Sequence, residues 1–284
     1  MTDIGFRLAD LLMPKPPLIR ADPPNITVID VGALPLPGNK EIYSKLVDLD
    51  LCTVIGFEPA GDACERLNAE YGDRHTFLLY FIGSGEKGTF RLCEPQMTSS
   101  LLEPNMELLN KFQNLAELTQ VVERSEVDTQ RLDDIKEVEG ADFIKLDAQG
   151  AELDIIEGAD KVLENAVVVH TEVEFVPMYQ GQPLFAEIDQ ALRARGFAFH
   201  KFMGFAGRAF KPMVVGDVNA RASQYIWSEA VYVKDFMAVD DLSAEQILKQ
   251  SFILHDVYGS CDMAHHSLAA YDRKTGHPGA AVLG

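Results

Sequence analysis

Short apolar runs alternate with amphipathic segments along most of the chain, a pattern typical of a parallel β-sheet flanked by helices. Strands are predicted where apolar residues cluster in short runs, at residues 26–31, 53–57, 75–82, 142–147 and 166–175. Helices are predicted where apolar residues recur every three or four positions, at residues 42–49, 62–71, 104–118, 152–163 and 184–195. Short links between these elements imply right-handed crossovers, so we predict an α/β fold with a mostly parallel sheet and helices on both faces.

The last part of the chain departs from this alternation. Residues 197–203 and 224–233 indicate two strands with no clear helix between them, which predicts an antiparallel pair at the sheet edge. Further on, Ser243 and Gln246 have the spacing of a capping box, which predicts the start of a C-terminal helix. The predicted organisation is a proline-rich arm at residues 1–24, a central domain at 25–235, and a helical extension with a tail at 236–284.

Composition narrows the classes of function. The chain has 25 Lys and Arg against 44 Asp and Glu, a formal charge of -19 that would repel a nucleic-acid backbone. No apolar run approaches the roughly 20 residues of a membrane-spanning helix, and we find no convincing secretory signal. The four cysteines show no CxxC spacing, so we predict reduced thiols, a cytoplasmic location and no metal site.

A nucleoside-binding crevice is predicted where the first two strands end. Asp30, Gly32 and Ala33 follow the first strand, and Glu58 ends the second. A glycine after a strand lets the backbone approach a ligand, and an acidic residue ending the next strand can accept hydrogen bonds from ribose hydroxyls. The loop after Gly32 carries prolines and lacks the glycines that cradle a pyrophosphate, which disfavours a nicotinamide oxidoreductase. Asp30 would attract a cation, such as the sulfonium and ammonium of S-adenosylmethionine.

A second polar cluster surrounds the end of the fourth predicted strand. Asp147 ends that strand, Gly150 permits a tight turn, and Glu152 begins a helix whose dipole favours a carboxylate there. Lys145 lies within the apolar run of the same strand. Since a buried unpaired lysine is costly, we expect it to have an acidic neighbour.

A third cluster is on the fifth predicted strand. His170, Glu172 and Glu174 alternate along it, so all three side chains point to the same side of the sheet. Such a group is a candidate general base or substrate clamp. The alternative is that only Glu174 reaches the crevice, while the other two pair with arginines.

Four segments of the chain resemble, in order, the FkbM-type family of S-adenosylmethionine-dependent methyltransferases. They are VIDVGA, GFEP, DFIKLDAQGAELDIIEGA, and TEVEF followed by YxGQPLFxEIDxxLxxxGF. The resemblance extends with gaps from about residue 26 to residue 233. It implies a class I methyltransferase (Rossmann-like) sheet, S-adenosylmethionine as cofactor, and methyl transfer to a hydroxyl oxygen of a sugar, glycan or other small molecule. Carried over by position, it implies that the residues holding the cofactor are Asp30, Gly32, Ala33, Glu58, Pro59, Ile82, Gly83 and Asp147. Residues 97–101 resemble the family's serine-rich loop near the site.

The chain departs from the family pattern in one segment and at one further residue. Residues 34–38 read LPLPG where the family usually has Asn and Gly, and Gln149 occupies a position where many members have Glu. A hydroxyl is a poor nucleophile at neutral pH, so a proton acceptor is needed, and our candidates are Asp147, Glu174 and His170. The expected partner is a small-molecule or glycan acceptor, and self-assembly into a homo-oligomer is left open. The alternative function is a non-catalytic nucleoside-binding module with an inherited fold.

Overall fold

A computed structural model describes residues 23–34 and 40–276. Most of the predicted proline-rich arm, most of the 34–38 loop and the last eight positions of the predicted tail, residues 277–284, lie outside the described residues. Within the described ranges the strands are, in chain order, β1 Ile26–Val31, β2 Cys52–Phe57, β3 Thr76–Leu78, β4 Phe81–Ile82, β5 Lys87–Cys93, β6 Val121–Gln130, β7 Phe143–Leu146, β8 Val168–Glu174, β9 Phe197–Phe202 and β10 Trp227–Lys234.

The central sheet has the strand order β3-β2-β1-β7-β8-β10-β9. β10 is antiparallel to both of its neighbours, while the other neighbouring strands are paired in parallel. This arrangement confirms the predicted α/β fold with a mostly parallel sheet and an antiparallel pair at one edge. The carboxyl ends of β1, β2, β7 and β8 therefore meet along one side of the sheet, where ligands bind in open α/β folds.

Helices cover both faces of this sheet, as predicted. They are α1 Ser44–Asp48, α2 Gly61–Tyr71, α3 Met106–Leu109, α4 Leu115–Leu118, α5 Glu152–Glu157, α6 Asp160–Asn165, α7 Phe185–Arg193, α8 Ala244–Phe252 and α9 Cys261–Thr275. Helices α1, α2, α8 and α9 pack in one core with Val28 and Phe143, whereas α5, α6 and α7 pack in a second core with Ile29 and Ile144. Because neighbouring residues of a strand point to opposite faces, the two cores lie on opposite sides of the sheet.

The C-terminal extension is part of the first of these cores. Ser243 Oγ accepts a hydrogen bond from the Gln246 backbone amide at 3.1 Å, and Gln246 Oε1 accepts one from the Ser243 amide at 3.0 Å, which confirms the predicted capping box at the start of α8. A π-helical turn, Ile253–Val257, joins α8 to α9. The division of the chain at residue 235 stays a prediction.

The prediction of one strand over residues 75–82 is wrong. β3 ends at Leu78, and β4 begins at Phe81 and pairs with β6 in a separate three-stranded sheet of order β4-β6-β5. Leu79, between the two strands, is 58% exposed. The apolar run is continuous in the sequence because it supplies two different sheets in succession.

Two predicted helices are each divided in the structure. Residues 104–118 form α3 and α4, because Asn114 adopts a left-handed conformation with φ of 57° at the start of α4. Residues 152–163 form α5 and the first part of α6, with Gly158 ending α5. Across residues 23–34 and 40–276, no helix combines the length and the apolar character that crossing a bilayer requires.

Candidate active site

A cavity of about 710 Å³ opens at the carboxyl ends of β1, β2, β7 and β8. Its volume is within the range of roughly 300–1,000 Å³ that is usual for small-molecule and cofactor sites. The opposite wall comes from the three-stranded sheet, with Phe81, Phe90, Leu92 and Val127. Residues 97–101, the segment that resembles the serine-rich loop, contribute Met97, Ser99, Ser100 and Leu101 to the same wall. The site therefore has a polar side on the large sheet and a largely apolar side on the small one.

Gly32 is required by a close approach between β1 and β7. Its φ is +82°, and a Cβ atom there would overlap the backbone carbonyl oxygen of Asp147. The Asp147 amide donates a hydrogen bond to the Val31 carbonyl at 3.0 Å, which holds the two strand ends together. Gly32 and Asp147 both line the cavity, whereas Ala33 packs in the core. The glycine thus lets the strand ends meet at the cavity.

Glu58 lies in the cavity wall at the end of β2, as its position in the sequence predicts. It is 4% exposed, and its Oε1 accepts a hydrogen bond from the Ala60 amide at 2.7 Å. Burial raises the pKa of this carboxyl, against the lowering effect of the Ala60 bond. A carboxylate has about four acceptor sites, so Glu58 keeps capacity for ligand hydroxyls. Pro59 and Ile82 also line the cavity. Gly83 is not among the described residues that line it, and its amide donates a hydrogen bond to the Gln130 carbonyl at 2.9 Å.

Asp30 is fully buried and does not face the cavity as the sequence predicts. Its Oδ1 accepts a hydrogen bond from Lys145 Nζ at 2.9 Å, and its Oδ2 accepts one from the Tyr43 hydroxyl at 2.6 Å. Lys145 Nζ also lies 3.3 Å from Glu41 Oε2, so the acidic neighbour expected for this lysine is confirmed. Burial alone would lower the pKa of Lys145, but the carboxylates of Asp30, Glu41 and Asp147 outweigh it and raise that pKa. Lys145 and Glu41, rather than Asp30, therefore present charge to the cavity.

Gln149 joins two carboxylates across the floor of the cavity. Its Nε2 donates to Asp147 Oδ1 at 2.9 Å and to Glu172 Oε2 at 2.8 Å. Its φ of 50° is unusual for a residue other than glycine, and such strain is common at functional sites. The Tyr179 hydroxyl lies 3.2 Å from Gln149 Oε1, and the Ser100 hydroxyl donates to the Gln149 carbonyl at 2.6 Å. A neutral amide at position 149 therefore keeps two acidic groups in one site.

The strand β8 places His170 and Glu172 in the cavity wall, so the alternative that only Glu174 reaches the crevice is wrong. Glu174 is 2% exposed and, among the described residues, does not line the cavity. Burial, followed by the charges of Asp147 and Glu174, raises the pKa of Glu172 well above its usual value. Sequence analysis placed Glu172 beside the site but did not choose it as the proton acceptor.

Glu152 closes the turn that carries Gln149. As expected for a carboxylate at a helix N-terminus, it accepts hydrogen bonds from the backbone amides of Ala148 at 2.8 Å and Gly150 at 2.9 Å. Burial raises the pKa of this carboxyl to about 7 despite these bonds. Glu152 therefore fixes the backbone of the turn between Asp147 and α5.

His170 has a partner on each ring nitrogen. Its Nδ1 lies 3.0 Å from the Tyr258 hydroxyl, and its Nε2 lies 3.3 Å from Glu229 Oε2. The hydrogen bond from His170 lowers the pKa of Glu229, which also lines the cavity. The sequence analysis missed Glu229, Tyr258, Glu41 and Tyr43. The one carboxylate in the largely apolar strand β10 was the available signal for Glu229.

The Methyltransferase FkbM domain profile matches residues 30–199, more than half of the chain. The chain belongs to the FkbM methyltransferase family. Its strand order, with β10 antiparallel between β8 and β9, is that of the class I methyltransferase fold. The matched segment contains Asp30, Glu58 and Asp147, but not the C-terminal extension.

The similarity of this FkbM methyltransferase to individual solved proteins is low in sequence identity. A search of curated proteins finds no match. Among solved structures, it is similar to magnesium protoporphyrin IX methyltransferase (ChlM) from Synechocystis PCC 6803 with bound SAM, at 13% identity and a TM-score of 0.38, over 75% of this chain and 71% of that chain. It is also similar to a putative methyltransferase from Thermoplasma acidophilum, at 10% identity and a TM-score of 0.36, over 75% and 70% of the two chains.

The phenylalanines of β9 and the following loop pack among themselves in this FkbM methyltransferase. Phe202 lies 4.7 Å from Phe199 and 5.0 Å from Phe205 between ring centroids, and Phe185 of α7 contacts Phe202 at 5.3 Å. Among the described residues, none of these rings lines the cavity. Within residues 23–34 and 40–276, no group of three His, Cys, Asp or Glu side chains is arranged to hold a metal ion.

Proposed function

We propose that this methyltransferase uses S-adenosylmethionine to methylate a hydroxyl oxygen of a small-molecule or glycan acceptor. One observation carries the proposal: a single cavity is lined both by Glu58, at the end of β2, and by the Asp147–Gln149–Glu172 group. The first fits a cofactor that contains a ribose, and the second fits an acceptor that must lose a proton.

The described residues fit S-adenosylmethionine in shape and charge. Glu58 is placed to accept hydrogen bonds from the ribose hydroxyls, and Pro59, Tyr80 and Ile82 provide apolar surface for the adenine. Gly32 borders the same space, and Asp147 and Glu229 add negative charge that suits a cationic cofactor. When bound, the cofactor supplies a methyl group activated by the positive charge of its sulfur.

The chain's own contribution is to hold the acceptor and to take its proton. Asp147 is our first candidate for the proton acceptor because it lines the cavity and Gln149 fixes its orientation. Glu172 is the second, because burial raises its pKa, and a carboxylate with a raised pKa is a stronger base. Glu174 affects Glu172 through its charge, and His170 contacts the cavity together with Glu229. Correct placement of two reactants is worth roughly 7–11 kcal/mol of the barrier, so we expect positioning to supply most of the rate.

Calorimetric titration with S-adenosylmethionine tests the cofactor, and incubation of cell extract with the methyl-labelled cofactor followed by mass spectrometry identifies the acceptor. We expect D147N to lose turnover, with the exposed Asp73→Asn as control. Absence of binding heat at millimolar cofactor would contradict the proposal. Binding without transfer to any compound would instead favour the non-catalytic nucleoside-binding module.

We also propose a reducing, cytoplasmic location. The four cysteines are free thiols; Cys52, Cys64 and Cys93 are buried and Cys261 is exposed. Disulfides are uncommon in the reducing cytosol, so free thiols are consistent with that compartment. Fractionation of cells followed by immunodetection of the native chain tests this location, and recovery from an oxidising compartment would contradict it.

A further inference from the structure

A tyrosine of the C-terminal extension contacts His170, which lines the cavity. Tyr258 follows the π-helical turn Ile253–Val257, outside the segment that matches the FkbM domain. Its hydroxyl lies 3.0 Å from His170 Nδ1, and its ring stacks on the imidazole at 6.0 Å between centroids and 18° between planes. Tyr258 is 7% exposed and His170 is 2% exposed, so water has little access to this contact.

The two ring nitrogens of His170 face different kinds of hydrogen-bonding partner. Glu229 Oε2 lies 3.3 Å from Nε2, and a carboxylate can only accept a hydrogen bond, so Nε2 carries a proton. Burial and the nearby Glu229 raise the pKa of Tyr258 well above its usual value, so its hydroxyl stays protonated at neutral pH. A tyrosine hydroxyl can donate to Nδ1, and a bond in that direction holds the imidazole with a proton on Nε2, towards Glu229.

Two lysines from other elements contact the segment around Tyr258. Lys45 of α1 lies 2.7 Å from Asp256 Oδ1, and Lys201 Nζ donates to the Tyr258 backbone carbonyl at 2.7 Å. Lys201 also lies 5.5 Å from the centre of the Tyr258 ring. These contacts come from α1 and β9, so they are independent of the contact with His170. They fix the tyrosine relative to the sheet.

We propose that Tyr258 is a positioning residue for methyl transfer, holding the His170 imidazole so that its Nε2–H points to Glu229 at the cavity. This inference rests on the proposed function of that cavity. It assigns His170 the role of a hydrogen-bond donor that orients Glu229, and leaves the proton of the acceptor hydroxyl to Asp147 or Glu172. It also makes the C-terminal extension part of the active site.

Nitrogen-15 NMR of the histidine rings in the full-length protein tests the proposal without any need for activity. His170 is assigned by the resonance that disappears in H170Q. We expect its Nε2 to be protonated and its Nδ1 to be unprotonated near neutral pH. A wild-type spectrum with a proton on Nδ1, in either a neutral or a charged ring, would overturn the proposal.

The variant Y258F removes only the hydroxyl group. We expect the His170 resonances to move towards a mixture of the two neutral forms, and kcat to fall about 3- to 10-fold, the effect of losing one hydrogen bond. The KM for S-adenosylmethionine should stay unchanged, because Tyr258 does not line the cavity within the described part of the chain. The matched control is Tyr232→Phe, which removes a hydroxyl from another buried tyrosine. Tyr232 is on β10 and packs in the second core, away from His170.

The outcomes separate this inference from the proposed function. Unchanged His170 resonances in Y258F, or an equal loss of kcat in the Tyr232→Phe control, would contradict the positioning role. If wild type transfers no methyl group, the proposed function fails, while the NMR spectra still decide whether Tyr258 sets the form of His170. If Y258F does not fold, the wild-type spectrum alone still decides between the two ring forms.

Discussion

The ammonium group of Lys145 lies 2.9 Å from the carboxylate of Asp30, whose side chain has no exposed surface. The two residues are partners in register on the neighbouring strands β7 and β1. Their pairing neutralises the acid at the end of β1 next to the cavity. Negative charge available to a ligand then comes from other carboxylates that line the cavity, among them Asp147 and Glu229.

Replacement of Lys145 should destabilise the protein strongly. In K145M the carboxylate of Asp30 stays buried without its cation, and breaking a buried ion pair in this way costs about 3–5 kcal/mol. Urea unfolding measures the change. The matched control is Lys87→Ala, which breaks an exposed pair with Asp128 and should cost at most about 1 kcal/mol. Equal effects of the two substitutions would show that the buried pair has no special role.

Addition of a methyl group at Gly32 should disrupt the site. In G32A the new Cβ overlaps the Asp147 carbonyl, and the positive φ adds about 1–2 kcal/mol of strain. The ends of β1 and β7 must then separate, so we expect loss of cofactor binding by calorimetry together with a lower melting temperature. Gly61→Ala is the control, because nothing lies within 4 Å of its Cβ position and its φ is not positive. Normal cofactor binding by G32A would contradict this account.

Removal of the Glu58 carboxylate should weaken cofactor binding with little effect on the fold. Hydrogen bonds to a charged group are worth about 1.5–3 kcal/mol, so E58A should raise the Kd for S-adenosylmethionine about 10- to 100-fold. Calorimetry gives the Kd directly. Glu65→Gln, on the exposed side of α2, serves as the control. The assignment of Glu58 to the ribose is wrong if E58A binds the cofactor as tightly as that control does.

The substitution Q149E should place a third carboxylate between Asp147 and Glu172. The two hydrogen bonds donated by Gln149 Nε2 would be lost, and repulsion among the three acids would raise their pKa values. We expect lower turnover at pH about 7.5 and an acidic limb of the pH–rate profile, which reports deprotonation of the base, shifted to higher pH. Gln180→Glu, an exposed substitution, is the control. A profile identical to wild type would show that Gln149 has no electrostatic role.

Stability should decrease as the pH rises through neutrality. Burial raises the pKa of Glu152 from its usual 4.5 to about 7, so between these values the folded protein binds more protons than the unfolded chain. The stability gained by protonation is therefore present below about pH 4.5 and is lost as the pH approaches 7. Glu172 and Glu174 act in the same direction, because their pKa values are also raised.

Melting temperatures measured between about pH 6 and 8 test this linkage, with an expected decrease of a few degrees over that interval. E152Q should show a weaker dependence, since its amide stays neutral throughout. The exposed variant Glu65→Gln should follow wild type. A melting temperature that rises with pH in wild type would reverse the sign of the linkage and contradict the raised pKa.

The sequence alone was sufficient to predict the alternation of strands and helices and the positions of Gly32 and Glu58 at strand ends. It was also sufficient to predict the methyltransferase family. These features depend on residues close together in the chain: a run of apolar side chains, a glycine after a strand, a motif of contiguous positions. The need of Lys145 for an acidic partner also followed from its neighbours. Its partner did not, since Asp30 lies 115 positions away.

Only the tertiary structure decided which groups meet. It divided residues 75–82 between two sheets, paired Asp30 with Lys145, and brought Tyr258 to His170 across 88 positions. Strand register and the packing of the C-terminal helices determine these contacts, and both depend on the whole core rather than on local periodicity. The elements follow from local sequence, whereas the charges that face the cavity are set by long-range packing.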